Sequence, residues 1–274
     1  MGLVINTNVA SINAQRNLGK TEQSLNTSLA RLSSGMRITV AKDDAAGLAI
    51  SEKLRAQIRG LGQASRNAND GISLVQTAEG ALNEVSNILI RMRELSVQAA
   101  TGTLGDTERG YLQNEFDQLS QEIDRIAQVT EFNGTPLLDG SASVSLQVGI
   151  NNNASDRIDV AIGSISTADL GIGSTDISTA LGGQGALDDL DSALSIVSQT
   201  RGELGAIQNR LATTINNLQT QQENLSAANS RIRDVDVAAE TVEMTRSQIL
   251  MQAGVAVLAQ ANQMPAMALQ LIGG

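Results

Sequence analysis

The side chains able to carry chemistry in this sequence are carboxylates, hydroxyls and glycines, and each group of them is short of a partner. The chain has 274 residues with no His and no Cys, so the commonest general base, the thiol nucleophile and the soft metal ligands are missing. Acid–base work by paired carboxylates is open to Asp43-Asp44 and Asp188-Asp189. Both pairs read instead as turns or helix N-termini, where the helix dipole favours negative charge. Asp234-Val235-Asp236 alternates like a calcium loop but lacks the Gly and the distal Glu of that pattern. Gly60-Leu61-Gly62 has no strand before it and does not read as a nucleotide loop. Asn26-Thr27-Ser28, Asn133-Gly134-Thr135 and Asn224-Leu225-Ser226 fit the N-glycosylation pattern by chance, two of them on predicted helix faces. No catalytic, cofactor-binding or metal site is expected, and no cofactor.

If chemistry is absent, the elements must be the product. The only aromatics are Tyr111, Phe116 and Phe132. Thick globular cores draw much of their apolar area from such rings, so a thin core of Leu, Ile, Val and Ala between long helices is the better fit. A net charge of −10 argues against nucleic acid and anionic membranes as partners. The N-terminus has no basic region or apolar run of a signal peptide, so any export of the chain is expected to proceed without a cleavable one.

Heptad periodicity dominates. Leu61, Ala68, Val75, Leu82 and Leu89 stand seven apart, with Ala64, Gly71, Ala78, Val85 and Met92 three behind each. A second row runs Leu190, Val197, Leu204, Leu211, Leu218, Leu225 and Ile232 without a miss, beside a smaller and partly polar row. These are the seams of two antiparallel helices, about 57–100 and 187–232, each on the order of 65–70 Å long, which predicts a rod. Between them Leu112, Phe116, Leu119, Ile123 and Ile126 mark an amphipathic helix with Asp106 as its expected N-cap. The period then becomes two: Val144, Leu146, Val148 and Ile150, then Ile158, Val160 and Ile162, predict a β-hairpin at about 141–163. Residues 163–186 read as surface loop.

The two ends share a character. Ile5, Val9, Ile12, Leu18, Leu25, Leu29 and Leu32 form a helical stripe near the N-terminus. Residues 247–274 carry no charge and place Leu250, Ala253, Val257, Ala261, Met264, Ala268 and Leu271 on one face, with Val255, Leu258 and Met267 off it. A helix apolar on more than one face must be buried on more than one face, and so thin a chain has no internal cover to offer. Both ends, to about residue 40 and from about 235, are therefore expected to be disordered in the monomer. The last stretch is long enough to span a bilayer, but Gln248, Gln252, Gln260, Asn262, Gln263 and Gln270 and the interruption at Pro265 favour packing against protein helices.

Longer motifs carry a resemblance. Ala30-Arg31-Leu32-Ser33-Ser34-Gly35-Met36-Arg37-Ile38 and Lys42-Asp43-Asp44-Ala45-Ala46-Gly47-Leu48-Ala49-Ile50 resemble the flagellin segment recognised by plant immune receptors. Asn67-Ala68-Asn69-Asp70-Gly71-Ile72-Ser73 and Thr77-Ala78-Glu79-Gly80-Ala81-Leu82 are similar to the family's long N-terminal helix, and Phe132-Asn133-Gly134 to its entry into the hairpin. Ala228-Asn229-Ser230-Arg231-Ile232-Arg233-Asp234-Val235-Asp236 and Gln252-Ala253-Gly254 through Gln263 resemble its C-terminal region.

A short bacterial flagellin lacking the large outer domains is what these motifs imply. The implied fold is mainly α: a long antiparallel helical rod or coiled coil with one β-hairpin, and paired terminal helices. Residues 1–44 with 233–274 would form the terminal coiled-coil core, and 45–232 the rod domain. The function would be self-assembly into the extracellular flagellar filament for swimming. The implied partners are other copies, the export chaperone and apparatus, the hook-associated junction and cap proteins, and host innate immune receptors. Leu18, Leu25, Leu32, Leu250, Val257, Met264 and Leu271 would pack subunits together. Leu61, Val75, Leu82, Leu89, Leu204, Leu211, Leu218 and Leu225 would form the rod seam. Arg91, Leu95 and Glu115 resemble the patch bound by the animal flagellin-sensing Toll-like receptor, with Leu95 expected to fill a receptor pocket. A membrane-active helical protein and an enzyme are the competing classes; electron microscopy of concentrated protein separates them from a filament subunit.

Overall fold

A computed structural model describes residues 7–141 and 143–272, in backbone alone from Pro265 onward. Ile5 and the side chains of Met267, Ala268 and Leu271 lie outside the described residues. The order is α1 (Val9–Ser34), α2 (Ala45–Ala99), α3 (Asp106–Val129), β1 (Glu131–Phe132), β2 (Thr135–Pro136), β3 (Ser143–Gln147), β4 (Arg157–Ala161), α4 (Ala180–Arg233) and α5 (Val237–Ile272). Contacts divide the chain into two units, residues 57–223 and residues 1–56 with 224–274.

In the unit of residues 57–223, α2 and α4 run antiparallel. Arg93 of α2 pairs with Asp191 of α4 at 2.7 Å, and Gln208 further along α4 donates to Glu79 further back on α2 at 3.0 Å. Their facing heptad rows are dry. Val75, Ala78, Leu82, Val85, Leu89 and Met92 meet Leu190, Ala193, Val197 and Leu204, with Phe116, Ile123 and Ala127 of α3 closing the same core. Leu61, Leu211 and Leu218 are also buried, whereas Leu225 is half-buried and falls in the other unit. Both long helices exceed their expected lengths. α2 has 55 residues and α4 has 54, about 80 Å each.

Caps account for the earlier starts. The Asp44 carboxylate accepts from Gly47 N at 2.8 Å, and Thr179 Oγ1 accepts from Gly182 N at 3.0 Å, each satisfying a first-turn donor. Asp44 is thus a helix cap, whereas Asp188 and Asp189 lie inside α4. Gly183 is needed for contact: a Cβ there would stand 2.8 Å from Ala100 N and 3.1 Å from Ser96 O.

Three local expectations are corrected. Asp106 is the first residue of α3, not its cap; Gly105 takes the cap position, and Asp106 turns back to Arg109 at 3.2 Å. A separate two-residue hairpin, β1–β2, precedes the larger one. Its turn residues Asn133 and Gly134 both take positive φ, 51° and 77°, the backbone that a tight hairpin needs and that Asn-Gly adopts readily. Residues 163–179 are not a surface loop throughout. Ile165, Leu170, Ile172 and Ile177 are buried in the core. The segment is tied to α3 where the Asp124 carboxylate accepts from Thr167 N and Oγ1 at 2.8 and 2.9 Å, and Gln113 Oε1 accepts from Ile177 N at 2.7 Å. Irregular backbone has no period, so its inward residues leave no pattern in the sequence. β3 and β4 pair antiparallel with Val144 opposite Val160 and Leu146 opposite Ile158, inside the predicted hairpin.

In the other unit, α1 starts at Asn8, whose Oδ1 accepts from Ser11 N at 3.0 Å, and stops at Gly35 with φ +70°. α5 starts at Asp236, whose Oδ1 accepts from Ala238 N and Ala239 N at 2.9 and 3.1 Å. The connections before α2 and α5 meet in an isolated antiparallel bridge, Met36 with Asp234. There Arg37 N donates to Arg233 O at 2.7 Å, and Arg37 Nη2 donates to Ile232 O at 2.7 Å. Pro265 does not interrupt the last helix; α5 continues through it to Ile272.

Candidate functional site

α1 and α5 lie side by side and antiparallel: Arg31 reaches Glu240 at one end (3.5 Å), and Asn8 reaches Ala261 O at the other (2.7 Å). Each end therefore has a partner within the chain, which corrects the expectation that so thin a chain has no internal cover to offer. On α1 the covered positions are Ser11, Ala14, Leu18, Thr21, Leu25, Ser28 and Leu32; on α5 they are Glu240, Met244, Ser247, Met251, Gly254, Leu258 and Ala261. Both rows alternate spacings of three and four, the seam of a coiled coil. Small and hydroxyl side chains fill half of it, and a Cβ on Gly254 would stand 3.2 Å from Leu18 Cδ1. Such a seam brings two backbones close but removes little apolar area from water.

The seven residues expected to pack subunits together are thereby split. Leu25 is buried, and Leu18 and Leu32 half-buried, against α5 of the same chain. Leu250, Val257 and Met264 lie on a different face of α5, at 52%, 58% and 45% exposure. Val242 and Ile249 extend that face, where an apolar groove of about 460 Å³ is lined by Thr241, Val242, Thr245, Arg246, Ile249 and Leu250. Val9 and Ile12 are exposed on α1. Scattered exposed aliphatics need no explanation, but a heptad row of them on one helix is a continuous apolar face able to pack against another helix. Sequence reasoning missed the covered row of α5, because Met244, Met251 and Leu258 are separated there by Ser247 and Gly254.

Polar anchors hold this unit together. The Asp43 carboxylate accepts from Thr39 N, Thr39 Oγ1 and Val40 N at 2.9–3.1 Å. The donors from Val40 and Thr39 hold its pKa below the ordinary value of 3.8. Arg233 Nη1 donates to Glu52 Oε1 at 2.6 Å, which lowers the pKa of Glu52 as well. Asp43 and Asp236 thus serve turns and caps. Among the described residues no group of three or more His, Cys, Asp or Glu is placed to hold a metal ion, and no helix is long and apolar enough to cross a membrane.

The expected receptor patch is brought together in part. Arg91 Nε and Nη2 donate to Glu115 Oε1 at 3.0 and 2.8 Å, and Arg91 Nη1 donates to Glu94 at 2.9 Å. Glu115 first, then Glu94, raises the pKa of Arg91. Leu95 is corrected: it is 1% exposed and belongs to the core of α2, α3 and α4, because it sits in the α2 heptad beside Met92 and Ala99. It has no surface with which to fill a receptor pocket. One buried cation went unnoticed in the sequence. Arg109 sends Nε to Ala99 O and Nη2 to Thr101 O, both at 2.9 Å, capping the carbonyl end of α2 with positive charge.

Residues 5–143 match the family model of the bacterial flagellin N-terminal helical region, and residues 187–272 that of the bacterial flagellin C-terminal helical region. The chain is similar to a flagellin of Halalkalibacterium halodurans, 51% identical over 271 residues that cover 98% of this chain and 100% of that protein. It is likewise similar to a flagellin of Bacillus subtilis, 46% identical over 301 residues that cover 98% and 99% of the two. The crystal structure of Bacillus cereus flagellin superposes with a TM-score of 0.50 at 35% identity, over 60% of this chain and 94% of that one.

Proposed function

This chain belongs to the bacterial flagellin family, and from that premise we propose how its parts divide the work of building a filament. As a flagellin it is a structural protein that polymerises with copies of itself, a component of the extracellular flagellar filament used for swimming. In the proposed division, residues 1–44 with 233–274 form the inner core of the polymer and 45–232 the domain around it. The buried seam of α2 and α4 holds the subunit together, and the outward row of α5 joins subunits.

The observation that carries this reading is the pair of faces on α5. One is covered by α1, and the other presents Leu250, Val257 and Met264 to solvent in a heptad row. A second copy bringing the same face would bury both rows. That row also needs cover before assembly, which is the service an export chaperone would provide. The export apparatus and the hook-associated junction and cap proteins are the further partners this reading implies. Electron microscopy of concentrated protein tests it. Wild type should give long uniform filaments and Val257→Asp none; filaments from the Asp variant would overturn the role of the row.

A second reading concerns a host receptor and rests on Arg91 and Glu115, which are exposed and preset by their ion pair across α2 and α3. A flagellin-sensing receptor would meet that pair directly, while Leu95 contributes only by packing beneath it. Monomer carrying Arg91→Ala should signal weakly in a receptor-expressing reporter cell. Signalling equal to wild type would remove the pair from the interface.

A further inference from the structure

The β3–β4 hairpin is seated tightly on one long helix and leaves a space beside the other. On the α2 side the contact is as close as backbone allows. A Cβ on Gly71 would collide with Leu146 Cδ1, and one on Gly60 would stand 2.9 Å from Ile150 Cγ2. Between these points Asn67 Nδ2 donates to Gln147 O at 2.9 Å. Towards α4 there is instead a cavity of about 360 Å³. Leu61, Val148, Ile158 and Leu218 are its apolar lining, and Asp156 of the hairpin loop and Arg210 of α4 both border it.

The loop that carries Asp156 is braced from within. Gln147 Nε2 donates to Gly149 O and Asn151 O, both at 2.9 Å. Gln147 Oε1 accepts from Arg157 Nε at 3.2 Å, and Arg157 Nη2 donates to Asn152 Oδ1 at 2.5 Å. Asp156 is the member left over. Its Oδ2 is buried and accepts no hydrogen bond, while Oδ1 lies where a Cβ on Gly149 would collide with it. A buried carboxylate oxygen without a donor has lost its hydration and gained nothing in exchange. Arg210 has the complementary surplus: it is exposed, and among the described residues its guanidinium has no acceptor.

We propose that the hairpin tip closes on α4 in solution, with the Asp156 carboxylate turned into the cavity to accept from the Arg210 guanidinium. Closure gives the unpartnered oxygen a charge-assisted donor and covers Leu61, Val148, Ile158 and Leu218, so the ion pair and the apolar area favour the same movement. Asn67, at the base of the loop, is the point about which the tip turns. The pair is then a strap on the open side of the hairpin, over the small core of Ala68, Val148, Ile158, Leu211 and Ile215. It lies wholly within residues 57–223 and rests on no reading of the terminal helices.

A double-mutant cycle on the full-length monomer tests the strap: wild type, Asp156→Asn, Arg210→Gln and both together, read by amide exchange across residues 143–161 at low salt. Each single change should speed exchange about twofold to fivefold, the range of a partly exposed ion pair. The double variant should be no faster than the faster single one, and residues 75–92 of the main core should exchange alike in all four proteins. Effects that multiply in the double variant would mean that the two side chains do not meet. A response to Asp156→Asn without one to Arg210→Gln would mean that Asp156 has another donor, and faster exchange in the main core would mean general loosening. Any of these results, or exchange unchanged in all three variants, overturns the strap.

Discussion

The two units of this chain bury their apolar side chains to different degrees. In residues 57–223, Val75, Ala78, Leu82, Val85, Leu89 and Met92 are fully buried against Leu190, Ala193 and Val197. Among the described residues of 1–56 with 224–274, the buried apolar side chains are Leu25, Ile38 and Ala261, joined by Ser28, Ser51 and Ser247. Meanwhile Val242, Ile249, Leu250, Val255 and Val257 of that unit stay more than half exposed. The first unit buries its hydrophobic surface against itself, and the second leaves much of it exposed. Helical pattern alone does not separate these cases, since both units read as heptads. What separates them is the size of the side chains that face the intrachain partner.

The largest effect that would break this contrast is a charge in the self-contained seam. Leu211 is fully buried, and Leu211→Asp should unfold residues 57–223, because an unpaired buried charge costs several kcal/mol. A cooperative melt unchanged from wild type would show that the seam does not hold the unit. Val257→Asp makes the opposite case: monomer helicity and melting should stay near wild type while filaments disappear. Equal loss of helicity from both substitutions would erase the distinction between the two units.

A smaller effect is expected at Arg109, whose removal leaves the Ala99 and Thr101 carbonyls without their donor. Arg109→Ala should cost about 1–3 kcal/mol in denaturant unfolding, all of it in residues 57–223, with filament growth affected only through stability.

The smallest effect is with pH. Asp43 and Glu52 in one unit and Asp191 in the other have lowered carboxyl pKa values, through bonds from Val40 and Thr39, from Arg233 and from Arg93. A group whose folded pKa is depressed stabilises above its unfolded value and loses that contribution as pH falls through the folded value. Melting temperature should therefore hold from pH 6 to 9, where the absence of His and Cys leaves no such side chain to titrate, and fall gently below about pH 4. A drop between pH 8 and 6 would contradict this.

Much of the self-contained unit was legible beforehand. The rows of Leu61 to Leu89 and Leu190 to Leu218 name their own helices, because a seven-residue repeat of large aliphatics is stable only as a helical seam. The hairpin was legible from its period of two, and the small β1–β2 hairpin had a readable signal in Asn133-Gly134 that the helical pattern overshadowed. Residues 163–179 were not legible, since a packed coil segment is held by single bonds such as Asp124 to Thr167 rather than by a repeat. Leu95 was misjudged because a motif names residue types and not their exposure.

At the ends the division is sharper. From the sequence alone it follows that residues 247–274 carry no charge, that the terminal helices are apolar on more than one face, and that no His or Cys chemistry is open to the chain. Which face of α5 meets α1 was decided only by the tertiary structure. Gly254 admits the close approach of Leu18 and Ser247 packs at the seam, so the face with less hydrophobic mass is the one that pairs within the chain. The stripe richest in Leu, Val and Met is left outward. Periodicity reports that a face will be buried, but backbone proximity, set by small side chains and by contacts such as Asn8 to Ala261, selects the partner that buries it.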